Sequence, residues 1–163
     1  MSITEITTLL IDKVSEQARL SPRRRMNYNF HPDHSDPVQR MLNVLEPWTY
    51  IRPHKHTAKE ECFVLLRGKV LAVAFKDDGS VDQHTILSRE SGVLGIEFAE
   101  NCYHTITALE SGTAVYEIKE GPYEPHSPGN SAPWAPVEGT PEVMPFLQQL
   151  FDKLGIALDP LTV

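Results

Sequence analysis

The stretch RPHKHTAKEECFVLLRG, residues 52–68, sets His54, His56 and Glu61 at the spacing His-X-His-X4-Glu just ahead of an apolar run. In an extended chain successive side chains alternate faces, so His54 and His56 project from one side. Neutral imidazole together with carboxylate suits one divalent transition metal, whether Fe, Mn, Ni, Co or Zn. The mixture resembles the two-His-one-carboxylate set that leaves coordination positions open. A downstream histidine, His104 in GIEFAENCYHTITAL, can supply a fourth ligand. Of the two adjacent glutamates, Glu61 shares parity with Phe63 and Leu65, which read as core-facing, whereas Glu60 shares it with Cys62. Glu61 is therefore the expected ligand. His84 has no place in the constellation and reads as an ordinary polar side chain.

Strand parity also sends Tyr50 and Arg52 toward the cavity of His54 and His56, unless Pro53 breaks the pleat. Arg52 would then clamp a carboxylate or phosphate bidentately; the alternative is a surface or dimer-interface arginine. Tyr50 and Glu117 are the candidates for moving protons. In RRRMNYNFH, residues 23–31, Arg23, Arg25, Asn27, Asn29 and His31 alternate on one side if the segment is extended. Such a row of donors suits a small anionic or sugar-like ligand, and a solvated basic run with turn-capping asparagines is the alternative. Glu117 and Lys119, two apart in YEIKEGPY, are expected to face the interior, as an ion pair or as ligand-positioning groups. Tyr123 and Trp134 read as packing aromatics.

These residues need a scaffold, and the scaffold reads as strands. Ser2 and Glu5 have capping-box spacing, and Ile3, Ile6, Leu10, Val14 and Ala18 recur at helical intervals until Ser21-Pro22. From Pro37 to about Val115 short apolar or alternating runs are punctuated by Pro and Gly, the pattern of a sandwich or barrel. KDDGSV reads as a hairpin turn between LAVAFK and DQHTILS. After Gly121, Pro122, Pro125, Pro128, Pro133 and Pro136 exclude regular ladders. Val143, Phe146, Leu147, Leu150, Phe151 and Leu154 then fit one helix face that ends at Gly155. With 163 residues and 40% hydrophobic content, the chain is expected to be one domain. Its parts are an N-terminal helix and arm (1–36), a barrel (37–120), and a wrapping loop with a closing helix (121–163). A net charge of -7 and a pI near 5.4 argue against nucleic acid or an anionic membrane as partner. No segment approaches the roughly 18 apolar residues of a bilayer span, and the N-terminus lacks a basic start, so a cytoplasmic location is expected. Cys62 and Cys102 read as small buried reduced thiols.

The two histidine motifs resemble those of the cupin superfamily. SPRRRMNYNFH, VQRML, YIRPHKH, ECFVLLRG, YHTITAL, YEIKEGPY and WAP are together similar to WbuC-type cupin metalloproteins, named from bacterial O-antigen gene clusters. The resemblance implies an all-β double-stranded β-helix, the cupin jelly-roll barrel, with short N-terminal and C-terminal helices. It also implies a metal held by His54, His56, Glu61 and His104, a homodimer, and a place in lipopolysaccharide biosynthesis. Two positions depart from the general cupin pattern. A glycine expected six residues before the first histidine is Trp48, and the Pro-X-Gly of the second motif reads Ala99-Glu100-Asn101. Asn101 can replace the glycine because asparagine tolerates left-handed backbone. Three functions fit: a metal-dependent enzyme on a small polar or sugar-like substrate, an Fe(II)-dependent dioxygenase-like enzyme, or a noncatalytic metal-dependent ligand-binding or sensor module.

Overall fold

The structure, a computed structural model, describes residues 3–123 and 130–159. Helix α1 (Thr8–Leu20) starts later than its sequence suggests, because the Thr7 hydroxyl caps it by accepting from Leu10 N at 3.2 Å. The expected Ser2–Glu5 box does not form this cap; Ser2 lies outside the described residues, and Ile3 and Ile6 are exposed ahead of the helix. Within the helix, Val14 and Ala18 of the expected stripe are buried together with Ile11 and Ser15, and Leu10 is half-buried.

Eight strands follow: β1 (Arg25–Asn29), β2 (Val38–Leu45), β3 (Glu61–Arg67), β4 (Val70–Phe75), β5 (Val81–Leu87), β6 (Gly95–Phe98), β7 (Tyr103–Ala108) and β8 (Thr113–Glu120). They form two antiparallel sheets, one ordered β1-β2-β8-β3-β6 and the other β5-β4-β7. The sheet thus begins upstream of Pro37, since β1 pairs with β2 along its whole length. The β4–β5 turn falls on the predicted segment, with Gly79 at φ +86°. Among the proline positions named above, Pro122, Pro133 and Pro136 lie in irregular chain between β8 and the last helix; Pro125 and Pro128 fall outside the described residues. Helix α2 (Val143–Leu154) buries Val143, Leu147, Leu150 and Phe151 and ends at Gly155, as its periodicity predicts.

Strand alternation divides the side chains into three apolar layers. Leu45, Phe63, Val70, Ala72, Ile106 and Val115 fill the space between the sheets. Leu42, Val44 and Ala114, of opposite parity, meet Ile11, Val14 and Ala18 of α1. Leu71, Val73 and Phe75 face outward from β4 and are covered by Leu147, Leu150 and Phe151 of α2. Trp48 also belongs to this outer layer: it adopts φ +66° where the cupin pattern has glycine, packs edge-on against Phe151 at 5.2 Å, and donates its indole N–H to Asp159 O. Burial of a large ring offsets the cost of left-handed backbone there.

Gly68 turns the chain from β3 into β4 at φ +80°, and a Cβ there would lie 2.3 Å from Thr113 Oγ1 and 2.9 Å from Thr113 Cα. Gly92, at φ +73°, has nothing within 4 Å of the same point. Both alanine substitutions carry left-handed strain, but only Gly68→Ala adds a clash with backbone. Chemical denaturation should show Gly92→Ala losing about 1 kcal/mol and Gly68→Ala about 3 kcal/mol. Equal losses would contradict the packing of this turn.

Candidate metal centre

The segment carrying the first two histidines is not a regular strand. Residues 47–54 run beside the free edge of β7, where the Thr107 and Thr105 hydroxyls donate to Thr49 O (3.0 Å) and Ile51 O (2.6 Å). His54 and His104 then exchange both backbone hydrogen bonds, at 3.1 and 2.8 Å. On its other side this segment meets the wrapping chain, through Ala132 N to Pro53 O (2.8 Å) and Lys55 N to Asn130 O (2.9 Å). His56 is held by its own carbonyl, which accepts from Asn101 N at 2.8 Å. Asn101 stands at φ +61°, the left-handed conformation its sequence position calls for. Glu61 opens β3 and lies opposite both Lys119 and Phe98 in register, and Glu60 is exposed. His104, on β7, is covered by the Phe98 ring, stacked at 4.2 Å and 14°.

These placements bring the four side chains together. One potential ligand atom from each of His54, His56, Glu61 and His104 lies within 4.8 Å of the others. His54 Nδ1 and His104 Nδ1 sit 3.0 and 2.9 Å from the carbonyls of Arg52 and Cys102, so each donates there and leaves its Nε2 lone pair for the centre. His104 Nε2 lies 2.8 Å from Glu61 Oε2. His56 Nε2 is buried without a hydrogen-bond partner among the described residues, and Glu61 Oε1, at 3.6 Å, is beyond hydrogen-bond reach. An orphaned buried nitrogen costs about 1–3 kcal/mol unless something satisfies it. A cation at the convergence of these four groups would do so, and the donor set fits iron, manganese, nickel, cobalt or zinc. His84 is exposed on β5, away from the cluster.

Charge is balanced within the cavity. Lys119 Nζ sits 3.2 Å from Glu61 Oε1 and 3.6 Å from Glu117 Oε1, and Asn43 donates its amide to Glu117 Oε2. Burial works to raise the Glu61 carboxyl, yet the His104 imidazole and the Lys119 charge outweigh it and hold the group well below the usual carboxylate range. Glu117 goes the other way: burial and the neighbouring Glu61 charge push it well above that range, against Lys119. Burial also depresses His54, to about 3, with the His104 imidazole adding to the effect.

Tyr50 is a correction. It is buried beneath α2, donates its hydroxyl to Pro136 O at 2.7 Å, and lines neither lobe of the cavity. Strand parity fails because Pro53 lies in irregular chain, so Ile51 and His54 both face inward. Arg52 does border the cavity, beside His54 and His56, while its Nε and Nη2 donate to Ala135 O and Ala132 O at 3.2 and 3.0 Å. Arg23, Arg25, Asn27, Asn29, His31, Glu117 and Lys119 all line the cavity as expected. Tyr123 lines it too, tilted against His34 at 4.9 Å, and so is more than a packing aromatic; Trp134 packs on Phe75 at 5.0 Å. Both cysteines are free and half-buried rather than buried.

The cavity has two lobes that share Arg25, Ile51, His54 and Lys119 in their walls. The outer lobe has a volume of 350 Å³ and includes Arg52, Lys59 and Asn130 in its wall. The inner lobe, 420 Å³, is walled by β1, β2, β3, β7 and β8 and includes Gln39, Met41 and Asn43. Those three are absent from the sequence-based set, because two amides and a methionine alternating along a strand carry no local signal that separates a cavity wall from a solvent face. Glu138, which pairs with Arg23 and Arg25, is also absent from it and carries no local signal.

Among solved structures, KdgF from Halomonas sp. superimposes with a TM-score of 0.50 at 13% identity, covering 64% of this chain and 85% of its own. The capsular polysaccharide assembling protein CapF from Staphylococcus aureus gives 0.50 at 19% identity, over 64% of this chain and 29% of that one. The salicylate 1,2-dioxygenase from Pseudoaminobacter salicylatoxidans gives 0.53 at 10% identity, over 72% and 33%. The chain therefore matches about a third or less of the latter two. At these identities the likeness is one of fold, and the fold is that of cupins. No curated protein matches the sequence. A family model does match, over residues 6–87, about half of the 163 residues, and the chain belongs to that family, described as Domain of unknown function (DUF6016).

Proposed function

We propose that this chain is a metal-binding cupin that holds one divalent transition metal through His54, His56, Glu61 and His104 and takes a small polar molecule into the adjoining cavity. The observation carrying the reading is the convergence of three imidazoles and one carboxylate, with His56 Nε2 buried and, among the described residues, unpartnered. When bound, such an ion polarises a substrate oxygen or lowers the pKa of a water, and as iron it supports oxygen chemistry. The chain's own residues do the rest. Lys119 holds Glu61 in place and neutralises it, and the Nδ1 contacts of His54 and His104 fix their rings. Glu117, its carboxyl pushed upward by burial and by the Glu61 charge, is the candidate proton carrier, since Tyr50 lies outside the cavity. Asn27, Asn29, Asn43 and Gln39 give the inner lobe amide groups suited to hydroxyls. The WbuC-type resemblance supports a cytoplasmic homodimer in surface-polysaccharide assembly. A noncatalytic module built on the same site would bind its ligand without turnover.

Metal content after identical dialysis tests the ligand set. His56→Ala and Glu61→Gln should lose most of their metal while His84→Ala retains it; equal retention by all three would sink the assignment.

A second test follows from His54. Its folded pKa, about 3, lies below the usual value near 6.5, so over this range the unfolded chain binds the extra proton. In chelator-treated protein the stability associated with neutral His54 is present above about pH 6.5 and is lost as pH falls toward about 3. Thermal unfolding should therefore show His54→Asn losing less stability than the wild type between neutral and acidic pH. Parallel pH profiles would contradict the burial of this ring.

A further inference from the structure

The outer lobe has a charge pattern that the metal ligands do not explain. Among its described lining residues are five cations, Arg23, Arg25, Arg52, Lys59 and Lys119, against two carboxylates, Glu120 and Glu138. In a chain with a formal net charge of -7, this is a local inversion of sign in the wall of the cavity. Most of these charges have partners. Lys119 is held by Glu61 and Glu117. Arg23 grips Glu138 through both ends of its fork, at 2.9 and 3.0 Å, and Arg25 reaches the same carboxylate at 2.8 Å.

Arg52 is different. It is half-buried, and its contacts are neutral carbonyls, those of Ala132 and Ala135. Carbonyls need donors but not a charge, so a guanidinium here gives up part of its hydration with no carboxylate paired to it among the described residues. It stands in the same wall as His54 and His56. Two of its donor groups are committed to the loop, which fixes the plane of the fork and leaves the rest of the guanidinium for a ligand. Glu138, meanwhile, shows what the adjacent arginines accept: a carboxylate from the wrapping chain, in bidentate geometry, on the rim of that lobe.

We infer that the outer lobe is an anion subsite, in which Arg52 meets a carboxylate or phosphate group of the small-molecule ligand and Glu138 is an internal carboxylate that competes with it for Arg23 and Arg25. This rests on the reading of the cavity as a ligand site. With the anionic group beside Arg52, the ligand's uncharged portion extends past His54 toward Asn27, Asn29 and Asn43 of the adjoining lobe. A lobe of 350 Å³ suits a small molecule.

Titration calorimetry with inorganic phosphate and with acetate, against sodium chloride at matched ionic strength, tests the subsite on protein whose metal content is measured in parallel. Saturable binding of either probe is expected, and the stronger one identifies the anion class. Arg52→Ala should weaken it at least about tenfold, a loss of about 1.4 kcal/mol, with metal content unchanged. Glu138→Gln should tighten it by roughly threefold, because the competing charge is gone while the side-chain shape remains. If Arg52→Ala does not fold, the Glu138→Gln comparison decides alone. Binding no stronger than the chloride control, undiminished binding in Arg52→Ala, or weaker binding in Glu138→Gln overturns the inference. Anion binding by protein that takes up no metal even when divalent metal is supplied would overturn the metal reading and leave the subsite standing.

Discussion

The Glu61 carboxylate is almost wholly buried, and a buried charge must be matched where it stands. The match is set by sheet register. Pairing of β3 with β8 places Lys119 opposite Glu61, and pairing of β3 with β6 places Phe98 on the other side, where it covers His104. A slip of one residue would turn Glu61 outward and bring Cys62 in. Much of the site's arrangement therefore depends on where β3 begins, and β3 begins at Glu61 itself.

The same register divides the interior lengthwise. Inward-facing positions on β8 run from Val115 through Glu117 to Lys119, and those on β2 from Leu45 through Asn43 and Met41 to Gln39. One end of the barrel is thus a dry core and the other a polar cavity. Apolar packing is supplied between the sheets at the dry end and on both outer faces, by α1 and α2. Arg67 ties α1 to the sheet by reaching Asp12, Ser15 and Gly112 O. The scaffold can carry a hydrophilic interior because its stability comes from these three apolar layers.

The cupin resemblance made His104 and the left-handed Asn101 legible. Residue spacing made His54, His56 and the choice of Glu61 over Glu60 legible, along with the β4–β5 turn and the face of α2. Each of these is a local property, of parity, turn chemistry or helical period. Tyr50 was misplaced because parity holds only along a regular strand, and residues 47–54 follow β7 through threonine hydroxyls instead. Gln39 and Asn43 were missed because polar side chains on alternate strand positions fit a polar cavity as well as solvent, and Met41 because nothing local marks it as cavity wall. Glu138 was missed because its role comes from partners more than a hundred residues away in the chain. Trp48 kept a glycine's backbone conformation while exchanging a glycine's emptiness for packing, a trade that depends on α2 and is invisible in the local sequence.

The central claim is that three imidazoles and one carboxylate of this chain surround a single ion. X-ray absorption at the edge of whichever metal co-purifies reads that shell directly. The account predicts nitrogen and oxygen scatterers only, with multiple-scattering features of about three imidazoles and distances near ~2.0–2.2 Å for a zinc-like ion. Sulfur scattering from Cys62 or Cys102, or a shell without imidazole features, would contradict it.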